Sequence, residues 1–401
     1  MGEAKWIAER LSGVKIAADN PVLQQMAAKI SAGDRRGAAE LATALPQFLN
    51  ITVKQFAAQM SSRDETIREP LNDFSATFMG VTRDGIDARR LLYDDFYYSA
   101  VQPAGSPVLP GVRQNLLPDL IRSNNHYVDL ERSNQNVAQV LVKVDGQQIA
   151  GLVGGVTAPM PSPDPAGLLT SRAFIAAHAT AGTNRRLVEY AFREFLCLPI
   201  AGWADTLGTD VRIGRDVDRF PGGDNSKFLT TCKGCHSVQD GFRGAFAKWD
   251  FADNTAIHVA NGINQGRLQP RVDGNRGVMF KMNRPDFVQY AGGYVTLDDS
   301  FVNNATRGAN GFMFGWREPA PDTSPLASRT TGVHAFGRLI ANAKRFPQCM
   351  AKRVWASVCH NELSAAEMEA TYASMGTGFE QTSYNLKKLF ESVSIHPKCR
   401  L

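Results

Sequence analysis

Cys232-Lys233-Gly234-Cys235-His236 is the stretch that most constrains this chain. Two thiols three residues apart, followed at once by an imidazole, form the C-x-x-C-H run of covalent c-type haem attachment. Each thiol takes one vinyl arm of the porphyrin, and the histidine reaches the iron from below. Other uses of a CxxC pair fit less well. A zinc site wants a second ligand pair at similar spacing, which neither Cys349 with Cys359 nor the scattered histidines supply. A thioredoxin-type pair wants a βαβ context that the flanks lack. One covalent haem c is therefore the expected cofactor.

At 401 residues, 43% hydrophobic and 21% charged, the chain can build one large core or two or three packed domains. Its net charge is +5, yet Lys and Arg are spread without a basic block, so no nucleic-acid partner is expected. A mildly basic surface would instead steer an acidic redox partner protein. No apolar run reaches the length of about eighteen that a transmembrane segment needs. The N-terminal MGEAKWIAERLSG lacks the basic, apolar and small-residue regions of a signal peptide. Haem attachment through CxxCH normally takes place outside the cytoplasm. The sequence thus reads as a mature or trimmed form of a periplasmic, cell-surface or extracellular protein.

The patterning predicts a mainly α, multi-helical fold with a small antiparallel β-hairpin insert and a cytochrome c-like haem-binding region. Residues 1–102 read as an N-terminal helical domain, with Phe48, Ile51, Val53, Phe56 and Met60 at helical spacing and a further aromatic helix through Leu91, Leu92 and Phe96. Residues 103–166 read as a linker and hairpin: Pro103 to Pro110 breaks the chain, Val137–Val144 turns at Asp145-Gly146, and Ile149–Val153 returns. The Pro-rich run from Ala158 to Pro165 reads as an extended arm. Residues 167–328 form the haem-binding region, helical from Leu168 to Leu198 and irregular around the motif. Residues 329–401 read as a C-terminal helical bundle. There Ser364 and Glu367 make a capping box for a helix ended by Gly376 and Gly378.

His236 is the expected proximal ligand, and the opposite axial residue decides the chemistry. Met282 and His178 are the two main alternatives for it, with Met279 and Met313 also in reach; His258 is weaker. A closed, six-coordinate iron carries electrons, whereas an open one permits peroxide chemistry. Phe228, Phe242, Phe246 and Trp249 are expected to wall the porphyrin, and Lys233 and Arg243 to meet its propionates. A peroxidase-like enzyme would need a distal base and an arginine, for which Arg172 and His178 are the candidates. A third expectation is a structural or interaction subunit that self-associates through a β edge or Pro-rich arm.

Three stretches occur in an order that resembles a group of bacterial monohaem proteins built from domains of unknown function, abundant in planctomycetes and myxobacteria. They are Leu168 to His178 with Arg185, Arg186 and Phe195 to Pro199; Cys232 to Phe242 with Phe246 and Trp249-Asp250-Phe251; and Phe336 to Leu339 through Arg345 to Cys349 and Tyr384 to Leu389. The resemblance implies a secreted or cell-envelope cytochrome-like protein and brings no assigned reaction.

Four cysteines remain, an even number that fits two disulfides in an oxidising compartment. Cys349 and Cys359 lie ten residues apart on one helix, so about 15 Å of rise separates them, beyond a disulfide's Cα reach of about 7 Å. If the three C-terminal helices run up, down and up, Cys399 falls beside Cys359 and Cys197 is left for Cys349.

Overall fold

The computed structural model describes residues 1–62, 69–100, 120–133, 135–153, 156–179, 182–203, 205–252, 254–260, 263–265, 272–273, 276–284, 289–317 and 330–400. Pro103 to Pro110 lies outside them. Helices make up most of the described residues, with small antiparallel sheets at the margin, so the fold is mainly α.

Three helices open the chain: α1 (Gly2–Ser12), α2 (Pro21–Ser31) and α3 (Arg35–Thr43). A π-wound turn, Phe48–Val53, then runs into α4 (Lys54–Met60), which buries Phe48, Val53, Phe56 and Met60. Next comes α5 (Asp73–Asp84), started by a capping box in which Asn72 Oδ1 accepts from Ser75 N at 2.9 Å. These helices share a core with the far end of the chain. Phe390 packs its ring 5.3 Å from Phe48 and 5.4 Å from Phe56, and Thr43 Oγ1 donates to Glu391 at 2.9 Å. The segments 1–102 and 329–401 thus bury one another's apolar faces.

The stretch expected as an aromatic helix is a 3₁₀ turn, Ala88–Leu92, followed by strand β1 (Phe96–Ser99). Beyond it lies α6 (Asn125–Arg132). The expected hairpin does not form. Val137–Val140 is a helical turn, and β2 (Val142–Asp145) pairs antiparallel with β1, Phe96 opposite Asp145. Gly146, at φ 84°, donates its N–H to Asp95 O and Gln147 N reaches Asp95 Oδ1, so the chain turns a corner instead of folding back. Consequently β3 (Gln148–Val153) takes its partner from the supposed linker, as β4 (Val156–Pro161). A two-stranded ribbon has only edge strands, where proline is tolerated. After it Asp164 accepts from Val333 N at 2.6 Å and His334 N at 3.1 Å, tying the arm to a later helix start.

Leu168 to Leu198 is helical in pieces: a 3₁₀ turn Gly167–Thr170, α7 (Arg172–His178) and α8 (Arg185–Leu196). Asp73 bonds the free N–H groups of Arg172 and Ala173 and so fastens α7 to α5. The motif helix α9 (Lys233–Phe242) precedes a three-stranded sheet of β5 (Trp249–Ala252), β6 (Thr255–Ala260) and β7 (Ile263–Gln265). Then come β8 (Ser300–Phe301), α10 (Gly308–Phe314) and β9 (Thr330–Thr331), which pairs with β8.

Four helices end the chain: α11 (Gly332–Asn342), α12 (Arg345–Cys359), α13 (Ala365–Gln381) and α14 (Leu386–Ser394). The Ser364/Glu367 capping box is present, but Gly376 and Gly378 do not end α13. A Cβ on Gly376 would sit 3.1 Å from Gln348 N, so this glycine serves the close approach of α13 to α12. Disulfides join Cys197 to Cys349 and Cys359 to Cys399, the pairing read from the helix spacing. Among the described residues, no helix is long and apolar enough to cross a membrane.

Gly337 marks the tightest helix contact with the 3₁₀ turn: a Cβ there would meet Leu92 O at 1.8 Å, and backbone cannot yield cheaply. Gly337→Ala is expected to cost at least about 1–3 kcal/mol by overpacking, read as a lower denaturant midpoint. An unchanged midpoint would contradict the packing described.

Candidate haem site

The thiol pair stands on a helix with a wide first turn. Phe228–Cys232 is π-wound, closed by Lys233 N–H donating to Phe228 O, and continues without a break into α9. Single π turns gather at functional sites, and this one ends at the first thiol. With 3.6 residues per turn, Cys232 and His236 fall on one face and Cys235 lies beside them. Both thiols are free and partly exposed, and the His236 side chain is 27% exposed. Burial, with Cys232 adding to it, pushes the Cys235 thiol up. That is opposite to the activated thiolate of a redox CxxC. Among the described residues no group of three or more His, Cys, Asp or Glu is placed to hold a metal ion.

The other face of α9 anchors it. Phe242 is fully buried, its ring 5.1 Å from Phe192, 5.5 Å from Phe336 and 5.7 Å from Phe301. One turn beyond the histidine, Asp240 Oδ1 lies 3.6 Å from His236 Nδ1, inside ion-pair range but too long for a good hydrogen bond. Asp240 is completely buried and holds a charge network together. Arg185 on α8 bonds Asp240 and Asp216 with two nitrogens each, Gly214 N donates to Asp240 Oδ2 at 2.8 Å, and Arg243 Nη1 stands 3.5 Å from Asp216. Burial alone would push the Asp240 carboxyl up, but Arg243 and Arg185 outweigh it and hold it well below the carboxylate range. The two arginines move in opposite senses. Burial lowers Arg243, whereas the direct carboxylate bonds of Arg185 overcome its burial and raise it.

Loops complete the surroundings. Phe228, Ile213 and Val217 form a small buried cluster against Cys232, and the Arg219 guanidinium lies 4.9 Å from the Phe228 ring. Cys235 Sγ lies 3.5 Å from Ile200 O, and Asn304 Nδ2 donates to Ser237 O at 2.9 Å. A cavity of about 520 Å³ opens next to Ser237, lined among others by Leu207, Val211, Arg212 and Arg307, though not by the thiols or His236 themselves. Leu207 is 90% exposed, Phe312 85%, Val211 62% and Leu229 44%. Four large apolar side chains left in water along the segments that border one motif are unusual for a soluble surface. Two free thiols, an adjacent imidazole, uncovered apolar side chains and arginines at a cavity edge make a donor set that fits haem c.

Several expected members lie elsewhere. Trp249 is buried on β5 with its ring 4.8 Å from that of its cross-strand partner His258. His178 is buried between Phe174, at 4.6 Å edge-on, and Tyr190, stacked at 4.0 Å. Met282 does not leave its local core; it packs with Met279, Val278, Ile257, Val259 and Ala247, a cluster separate from that of Cys232. Phe246 packs against Phe336 at 5.5 Å. Met313 is the methionine whose contacts lead back to the motif: its Sδ is 3.7 Å from where a Gly202 Cβ would stand, in the turn that touches Cys235. Arg172 serves Asn254 O and the Phe251 ring, so it forms no distal pair with His178 at the motif. Arg243 is buried with Asp216 instead of exposed. Sequence reasoning passed over Asp240, although its i, i+4 spacing from His236 was the available signal.

Asp240→Asn would strip the shared counter-charge from two buried guanidinium groups. Loss of about 3–5 kcal/mol is expected in denaturant unfolding, as for other broken buried ion pairs. A loss under about 1 kcal/mol would show that the network is not closed in solution.

His258 generates a pH prediction. Among the described residues neither of its buried ring nitrogens has a hydrogen-bond partner, and burial, helped by Lys248, pushes its pKa down to about 3. In the unfolded chain it titrates near 6.5. Above that value neither state binds the proton; below it the unfolded chain alone does, so stability is lost as pH falls from about 6.5 toward 3. The loss reaches about 2 kcal/mol at pH 5. His258→Leu should flatten this part of the stability curve, and an equally steep curve in that variant would refute the assignment.

Comparison with protein-family models, with curated proteins and with solved structures finds no match to this chain.

Proposed function

We propose that the protein is a monohaem c-type cytochrome that passes single electrons in the cell envelope or outside the cell. The observation that carries this reading is the pair of free thiols, Cys232 and Cys235, beside His236 on one helix, bordered by exposed apolar side chains. When bound, haem c supplies an iron that exchanges one electron at a time. Cys232 and Cys235 would hold the porphyrin edge and His236 the proximal side. Asp240 faces Nδ1 of that ring, which leaves Nε2 as the ligating nitrogen. Leu207, Val211, Leu229 and Phe312 would exclude water, and Arg307, exposed at the cavity edge, would meet a propionate. A redox partner protein would dock where the porphyrin edge comes closest to the surface.

The peroxidase alternative has less support, because its distal pair lies apart from the motif. Self-association through the exposed apolar side chains remains the competing use of that surface, and one experiment separates the readings. Produced in a periplasm equipped for haem c maturation, the chain should retain one haem through acid–acetone extraction and lose it in a Cys232→Ala/Cys235→Ala variant. Its reduced form should show a six-coordinate low-spin spectrum. Absence of covalent haem, or a high-spin ferrous form that takes up CO and turns over peroxide, would overturn the proposal.

A further inference from the structure

A second cavity, of about 780 Å³, lies between α1, α4 with its preceding π turn, and α12. None of its lining residues belongs to the haem motif or to the loops around it. The volume falls within the range of small-molecule sites, about 300–1,000 Å³. Its walls carry Arg10, Lys15, Arg353 and His360 against a single carboxylate, Glu9. That carboxylate is already committed: it accepts from Ile16 N at 3.1 Å and faces Lys15 at 3.5 Å and Lys5 at 3.9 Å. Arg353 is likewise engaged, bonded to Glu194 and to Arg193 O.

Lys15 shares Glu9 but keeps its side chain 94% exposed, so it can still reach a ligand. Among the described residues, Arg10 has no carboxylate within ion-pair distance and instead lies with its guanidinium 5.8 Å from the centre of the Trp6 ring, which orders it without neutralising it. His360 occupies the left-handed region, φ 52°, at the end of α12, a position that glycine fills more cheaply. Its neighbour Cys359 is cross-linked to Cys399, so the imidazole is carried on a braced backbone. Gln55 and Gln59, one turn apart on α4, add amide donors and acceptors. These groups come from different parts of the chain, Arg10 from α1, Lys15 from the loop after it and His360 from the end of α12, so a ligand with more than one anionic group can engage more of them than inorganic phosphate does.

We propose that this cleft binds a small organic polyanion, one bearing two or more carboxylate or phosphate groups, with Arg10 and Lys15 as its charged contacts and His360 as a hydrogen-bond donor. The two sources of charge are distinguished by probe. Calorimetric titration of the isolated full-length protein at low ionic strength would use citrate, fructose 1,6-bisphosphate and inorganic phosphate. One of the two polyanions should saturate at one per chain with Kd below about 1 mM, and inorganic phosphate should bind at least about tenfold more weakly. Arg10→Gln should weaken binding by about tenfold, and Arg10→Gln/His360→Gln should abolish it, while the surface control Arg132→Gln leaves it unchanged. These side chains are partly or fully exposed, so the variants keep the wild-type thermal midpoint. Failure of both polyanions to saturate, equal binding of inorganic phosphate, or tight binding that survives in the double variant would each overturn the proposal. None of these outcomes touches the haem assignment, which is read from the spectrum.

Discussion

Beneath the motif, the buried exchange among Arg185, Asp216, Asp240 and Arg243 decides where the rest can sit. Arg185 comes from α8, Asp216 from an irregular loop, and Asp240 and Arg243 from α9 and its end, so one network fixes three parts of the chain that share little regular hydrogen bonding. Bringing such ions out of water costs several kcal/mol apiece. Direct carboxylate–guanidinium bonds to Asp240 and Asp216 offset that cost, and Gly214 N supplies a further donor to the same carboxylate. In this placement the loop at residues 213–217 lets Arg185 bind a carboxylate on each side. The glycine at 214 is required there: a Cβ would come within 2.2 Å of Arg243 Nη2.

Around this centre the apolar core extends to both ends of the chain. Phe192 on α8 touches Trp203, Phe242, Phe314 and Phe336, and so joins the motif helix to α10 and α11 through one ring. Cys197, next after that helix, is tied to α12, whose other end is tied to Cys399. Closing loops this long limits the unfolded chain, with a model-dependent gain of about 2–4 kcal/mol for each bridge. The partly exposed thiols thus stand on a helix packed against α8, next to the residue that the Cys197–Cys349 bridge ties to α12.

What the sequence made legible follows from the range of each signal. Helices with i, i+4 apolar spacing, such as the one burying Phe336 and Ile340, were readable because the signal is local. So was the Ser364/Glu367 capping box, and the disulfides followed once helix rise excluded Cys349 with Cys359 and an up, down and up run of the last three helices set Cys399 beside Cys359. The β1–β2 pair was not readable, since Phe96 meets Asp145 across a separation that no local pattern encodes, and an Asp-Gly pair looks the same at a corner as in a hairpin. Gly376 was misread because its need arises from the backbone of α12. At the site, CxxCH marked the helix that carries the proposed haem-binding residues, whereas aromatic side chains near it in sequence went to the core: Phe242 points to Phe192 and Trp249 to the β-sheet. The charged groups of the Asp240 network come from three separated segments and carry no motif.

If His236 ligates a haem as proposed, Asp240 also bears on which chemistry its proximal side favours. A carboxylate facing the ligand's Nδ1 raises its basicity and adds electron density at the metal, the condition that peroxide activation exploits. Here that push is divided. Asp240 already binds Arg185 through both oxygens and feels Arg243 at close range, which leaves His236 the longest of its contacts, 3.6 Å. Guanidinium groups withdraw charge from the oxygen that would otherwise polarise the imidazole, so the carboxylate orients the ring more than it energises it. A ligand held in place with little added electron density suits an iron that exchanges electrons without breaking an O–O bond.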